Sequence, residues 1–165
     1  MSALHAAVLN AFKKQGWAYR EVPEQEVVES SFEAHHGKVF LHVQSFEAAE
    51  IAVVVANVSL PVPTSHRLRV CELIMRANKE LNLGAFEMEW DAGQVMFRQS
   101  NIFPANRHDE KIIAGLVHNA VGEVDRFTPY LGEVCRTSRE MLPLLDVREL
   151  LAREDLLPPT PPVEE

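Results

Sequence analysis

The chain has 165 residues, a length that suits one domain and lets roughly 70% of the unfolded surface be buried without disulfide or metal staples. Its 16 Lys and Arg stand against 24 Asp and Glu, and a net charge of −8 opposes the phosphate backbone, which argues against a nucleic-acid partner. No basic amphipathic stretch points to an anionic membrane, and the longest apolar run, residues 51–56, is far below the roughly 20 residues a bilayer-crossing helix needs.

Lys13 and Lys14 follow the first apolar stretch instead of preceding it, without a small-residue cleavage pattern, so no secretory signal is expected. Cys71 and Cys135 lack the short spacing of a metal or redox pair and suit a reducing compartment. A cytoplasmic protein is the resulting expectation.

Leu4, Ala7, Val8, Ala11 and Phe12 recur at helical spacing, with Ser2 as a cap and Gly16 as a stop. A short extended piece near residues 18–21 precedes residues 27–35 and 38–45, which flank His36-Gly37 as a two-residue hairpin turn. That register puts Ser30, Phe32 and Ala34 on one face with Val39, Leu41 and Val43, and Glu33, His35, Lys38, Phe40 and His42 on the other. The third strand, residues 51–58, is apolar on both faces: Ile51, Val53 and Val55 against Ala52, Val54, Ala56 and Val58. Such strands are covered on both sides. Leaving Val54 and Val58 in water forfeits about 1.5–3 kcal/mol each, so a helix of the same chain, a second subunit or a client protein must pack there.

Pro61 and Pro63 end that strand, Thr64 or Ser65 offers a cap, and the second helix carries Leu68, Cys71, Ile74, Met75, Asn78 and Leu81 as its predicted stripe. Asn82-Leu83-Gly84 closes it. A second hairpin, pairing across Ala92-Gly93, sets Phe86, Met88 and Trp90 beside Val95 and Phe97, with Glu87 toward Arg98 on the other face. A third helix over residues 109–126 has Ile113, Leu116, Val117, Ala120, Val121 and Val124 as its stripe, and Pro129 is expected to kink its continuation through Phe127, Leu131 and Val134. The fold class predicted is α+β: helix, three antiparallel strands, helix, two strands, helix, plus a C-terminal helix.

Residues 1–138 form the α+β domain in this reading. Residues 139–157 form a C-terminal helical extension, with Asp146 and Glu149 at capping-box spacing and Val147, Leu150, Leu151 and Leu157 as its apolar side. The extension either folds back over the core or serves as a recognition element. Residues 158–165 are Pro-rich with little apolar mass and are expected to be a disordered tail.

Candidate chemistry is sparse. His35, His36 and His42 are the densest histidine group, but in the predicted hairpin they sit on different rungs, whereas zinc needs three or four converging ligands. Glu24, Glu26, Glu29, Glu33, Glu87 and Glu89 include no pair that spacing selects for acid-base work. No G-x-S-x-G elbow, phosphate-cradling loop or paired C-x-x-C occurs. No cofactor is expected.

Asn78, Leu81, Gly84 and Phe86 across the helix-to-hairpin junction, Asp91, Gly93 and Val95 at the turn, Asp125 with Pro129, and Pro63 with Arg67 together resemble the YbjN family, whose fold is that of the type III secretion chaperones. The resemblance covers about residues 2–136; the His-rich first hairpin and the tail from Arg139 onward lie outside its pattern. It implies a cytoplasmic bacterial homodimer without a catalytic residue set. Chaperones of this fold bind extended segments of secreted proteins, and YbjN-like proteins are described as sensory transduction regulators.

The leading reading is a non-enzymatic, homodimeric protein-binding or regulatory module that meets an unidentified protein partner through Phe40, Val54, Val58, Met96, Leu150 and Leu151. Two others stand beside it: a small metal-dependent enzyme using His35, His42 and Glu33, and a structural accessory subunit of a larger complex.

Overall fold

The structure, a computed structural model, describes residues 1–158. Its elements are α1 (Ala3–Gln15), β1 (Arg20–Glu21), β2 (Val27–Ala34), β3 (Gly37–Phe46), β4 (Ile51–Asn57), α2 (Arg67–Glu80), β5 (Ala85–Glu89), β6 (Gln94–Ile102), α3 (Glu110–Arg136) and α4 (Val147–Leu151). The α+β class and the order of elements are as expected, with the extended piece near residue 20 forming the two-residue edge strand β1. Because β4 pairs with β6, both hairpins merge into one antiparallel sheet of order β1-β2-β3-β4-β6-β5. The proline-rich tail predicted for residues 158–165 lies, beyond Pro158, outside the described residues.

Both hairpins pair two residues away from the predicted register. Ala34 pairs with Gly37 and Phe32 with Val39, so His35-His36 forms the first turn; in the second, Phe86 pairs with Phe97 and Met88 with Val95, across the turn 90–93. A slip of two leaves every side chain on its predicted face, since the strand repeat is two residues. The exceptions are residues that move into the turns, His35 and Trp90.

A contact distant in sequence anchors the first turn. The His36 backbone N–H donates to Asp125 Oδ1 at 2.6 Å, and His36 Nδ1–H donates to the Asp125 backbone carbonyl at 3.0 Å. That carbonyl is the one a residue at position 129 normally engages in a helix, and Pro129 has no N–H to offer. Helix α3 runs through Pro129 as one helix of 27 residues, and the carbonyl freed by proline takes a partner from the hairpin.

Helices α1 and α3 lie over the sheet face of Val28, Val43, Val54, Val58 and Phe97, burying Leu4, Val8 and Phe12 from α1 and Ile113, Val117 and Val124 from α3. Val54 and Val58 are fully buried. Of the three coverings considered for them, the chain's own helices supply it, which removes both residues from the partner-binding set. The α1 N-terminus is fastened by carboxylates: Glu26 accepts from Ser2 N at 2.5 Å and Ser2 Oγ at 2.6 Å, and Glu47 accepts from Leu4 N at 3.0 Å.

Helix α2 is turned about a quarter of a turn from its predicted stripe. It buries Val70, Leu73 and Ile74, and leaves Leu68 76% and Met75 72% exposed. At its end Asn78 brackets β5, accepting from Phe86 N at 2.8 Å and donating to Phe86 O at 3.0 Å. Gly84, at φ 74°, completes the junction; a Cβ there would stand 2.9 Å from the Arg98 carbonyl. Beyond α3, Asp146 caps α4 by accepting from Arg148 N at 2.9 Å and Glu149 N at 3.3 Å. Helix α4 packs on α2 with Val147 and Leu150 buried, so the extension folds back and Leu150 is not available to a partner.

Candidate interaction surfaces

The sheet face opposite α1 and α3 presents a row of Phe40, Asn57 and Met96 across β3, β4 and β6, then a row of His42, Val55 and Arg98, then Gln44, Val53 and Ser100, and last Phe46, Ile51 and Ile102. Apolar groups mark both ends. Phe40 is 49% exposed and Ile102 65%, with Phe46 also exposed and Met96 half-buried.

The centre of the face is polar and braced. Arg98 Nε donates to Glu87 at 2.8 Å, the cross-face contact anticipated from the hairpin pattern. Burial pushes the His42 imidazole below its usual range; the neighbouring Arg98 charge adds to that and Glu29 opposes it. His42 is thus a neutral ring beside Val55 at neutral pH. Lys38 Nζ stands 5.8 Å from the centre of the Phe40 ring, leaving that ring with a cationic neighbour.

The second apolar surface is the outward stripe of α2, where Leu68 and Met75 flank half-buried Cys71. A third feature is a groove of about 300 Å³ between α2, α3 and the C-terminal segment. Its apolar lining includes Phe86, Phe127, Tyr130 and half-buried Leu151, and the Phe86 and Phe127 rings are stacked 4.1 Å apart.

Of the residues singled out from sequence, Phe40 and Met96 share the open sheet face, Leu151 lies in the groove, and Val54, Val58 and Leu150 are interior. Phe46 and Ile102 went unnoticed although the same two-residue alternation, continued along β3 and β6, reaches them. The stripe of Leu68 and Met75, which periodicity predicts to be buried, faces outward. His36 is engaged with Asp125, while His42 is on the open sheet face, so the histidines do not converge. Among the described residues no group of three or more His, Cys, Asp or Glu side chains is placed to hold a metal ion, and no helix is long and apolar enough to cross a membrane.

The residues of the predicted family motif have structural tasks here: Asn78, Gly84 and Phe86 join α2 to the sheet, and Asp125 with Pro129 anchors the first hairpin. Residues 5–133 match the YbjN family, described as "Putative bacterial sensory transduction regulator". The chain belongs to the YbjN family. No curated protein matches it. Among solved structures, the crystal structure of the ExsC-ExsE complex is similar at TM-score 0.54 and 12% identity, over 82% of this chain and 96% of that one. The crystal structure of YbjN, "a putative transcription regulator from E. coli", is similar at TM-score 0.54 and 11% identity, over 79% and 87%. At these identities the likeness establishes the fold, which this YbjN-family chain shares with both.

Proposed function

We propose that this YbjN-family chain is a non-enzymatic, cytoplasmic protein-binding or regulatory module that works as a homodimer, with the open sheet face as the seat of its protein partner. One observation carries the reading: a sheet backed by helices on one side presents Phe40, Phe46, Met96 and Ile102 on the other. Exposed apolar side chains at both ends of an open sheet face, on a chain with a net charge of −8, mark an interaction site. The similar fold of ExsC, whose structure is that of a complex with ExsE, supports a polypeptide as the ligand. Self-association is assigned to the other apolar surface, the α2 stripe of Leu68 and Met75, because a two-fold pairing of one helix stripe is self-complementary and leaves both sheets accessible.

Light scattering of the native chain, L68E/M75E and F40D/I102D tests both assignments together. The native chain and F40D/I102D should have twice the chain mass, and L68E/M75E the single mass. Native purification should recover a stoichiometric polypeptide with the native chain and lose it with F40D/I102D. A monomeric native chain overturns the dimer, and a partner retained by F40D/I102D overturns the sheet-face site.

A further inference from the structure

Beyond α3 the chain docks on the rest of the molecule through side chains. Among the described residues, every backbone–backbone hydrogen bond of residues 141–157 closes within residues 138–157. The ties to the domain are three: Arg69 donates to the Pro143 carbonyl, the Tyr130 hydroxyl donates to the Arg153 carbonyl, and Arg153 Nη1 donates to Glu133, each at 3.0 Å. Leu142, Val147 and Leu150 are buried against the domain, with Leu145, Leu151 and Leu156 half-buried. Helix α4 has five residues, less than two turns, too short to persist alone, so its order comes from its seat on α2. That seat is loosely packed. A cleft of about 300 Å³ between α2, α3 and the segment borders it, and another of about 470 Å³ lies between the segment and Glu133 and Thr137 at the end of α3. The family match ends at residue 133, before the segment begins.

We infer that residues 139–157 are an exchangeable strap, and that the seat under α4 is a site for a partner helix with the apolar spacing of Val147, Leu150 and Leu151. This goes beyond the sheet-face reading and does not depend on it. The structure displays the chemistry that the seat takes: an Asp-capped helical turn with apolar residues at i, i+3 and i+4, laid against a helix pair. Glu133 adds a preference for a basic residue just after that pattern, the place Arg153 holds here. A partner helix with further turns gains burial that α4 lacks, because the clefts beside α4 are left unfilled by it.

In cis the strap is present at millimolar effective concentration, so a free helix competes poorly until the strap is released. The test uses the full-length chain, its V147D/L150D form and a fluorescent synthetic peptide of residues 139–157. The substituted chain should bind the peptide about tenfold more tightly than the native chain, because its own strap no longer competes. Adding Glu133→Gln should weaken that binding, while Phe40→Asp, on the open sheet face, should leave it unaltered. In the native chain the α4 amides should exchange hydrogen at least about tenfold faster than those of residues 116–131 in α3. Amides of α4 as slow as those of α3 overturn the proposal whether or not the substituted chain folds. So does a folded substituted chain whose affinity for the peptide is no greater than the native chain's. Protection of α4 that rises with protein concentration also overturns it, since that assigns the seat to the strap of a second copy.

Discussion

Strands β3, β4 and β6 contribute alternate residues to both faces of the sheet, yet the two faces have opposite energetic character. On the helix-covered face Val43, Val54 and Phe97 are fully buried, and a polar residue among them, Gln99, is satisfied by donating to the Leu116 carbonyl and accepting from Asn119 at 2.8 Å. On the other face Phe40 and Ile102 flank a polar centre held by the Arg98–Glu87 pair. Burial stabilises the fold through the first face. The second buries less, with Val55 and Val27 as its covered residues, and its exposed apolar ends gain burial only when something else packs on them. The same strands thereby separate folding from recognition.

The contrast is sharpest when a large side chain is removed from each face. Phe97→Ala should cost about 3–5 kcal/mol in urea denaturation. Ile102→Ser should stay within about 0.5 kcal/mol of the native chain. An Ile102→Ser cost comparable to that of Phe97→Ala would place the open face in the stability core and break the comparison.

Next in size is the anchor joining the hairpin to α3. Asp125→Ala leaves the His36 backbone N–H without its carboxylate and should cost about 1.5–3 kcal/mol. Pro129→Ala restores a helical donor to the Asp125 carbonyl, which then competes with the His36 ring. A double-mutant cycle of His36→Ala with Pro129→Ala should give a coupling of about 0.5–1.5 kcal/mol, and additive effects would show that the freed carbonyl has no part in holding the turn.

The smallest effect concerns carboxylates at the edges of the fold. Glu26 is held below its usual range first by the Ser2 hydroxyl, Glu72 first by Arg76, and Glu133 first by Arg136. A carboxyl that is more acidic when folded stabilises the fold above its unfolded pKa, and the gain is lost as pH falls through the folded value. Thermal stability should therefore decline below about pH 4.5, the ordinary value for these groups. Because the carboxylates are largely solvated the decline is modest, and Glu26→Gln should flatten part of it. An unchanged melting profile in Glu26→Gln between pH 5 and 3 would remove the α1 fastening from this account.

Much of this architecture was legible in residue order. Alternation separates Phe40 from Val43 within the first hairpin and Met96 from Phe97 within the second, and those faces survive a register error because the slip is an even number of residues in both hairpins. The face of α2 was misread, since Leu68, Cys71 and Met75 make as regular a stripe as Val70, Leu73 and Ile74 do. Periodicity does not rank two stripes on one helix. The packing of α2 on β5, α3 and α4 does.

Local spacing, caps and turn residues determined by themselves the element order, the α+β class and which residues of a strand share a face, because those depend on periods of two and 3.6 residues within a short stretch of chain. Tertiary structure alone decided which apolar faces stay uncovered. Whether Val54 is interior and Ile102 exposed depends on where α1 and α3 come to rest, and the carbonyl that Pro129 leaves free finds its partner in His36, far away in the chain.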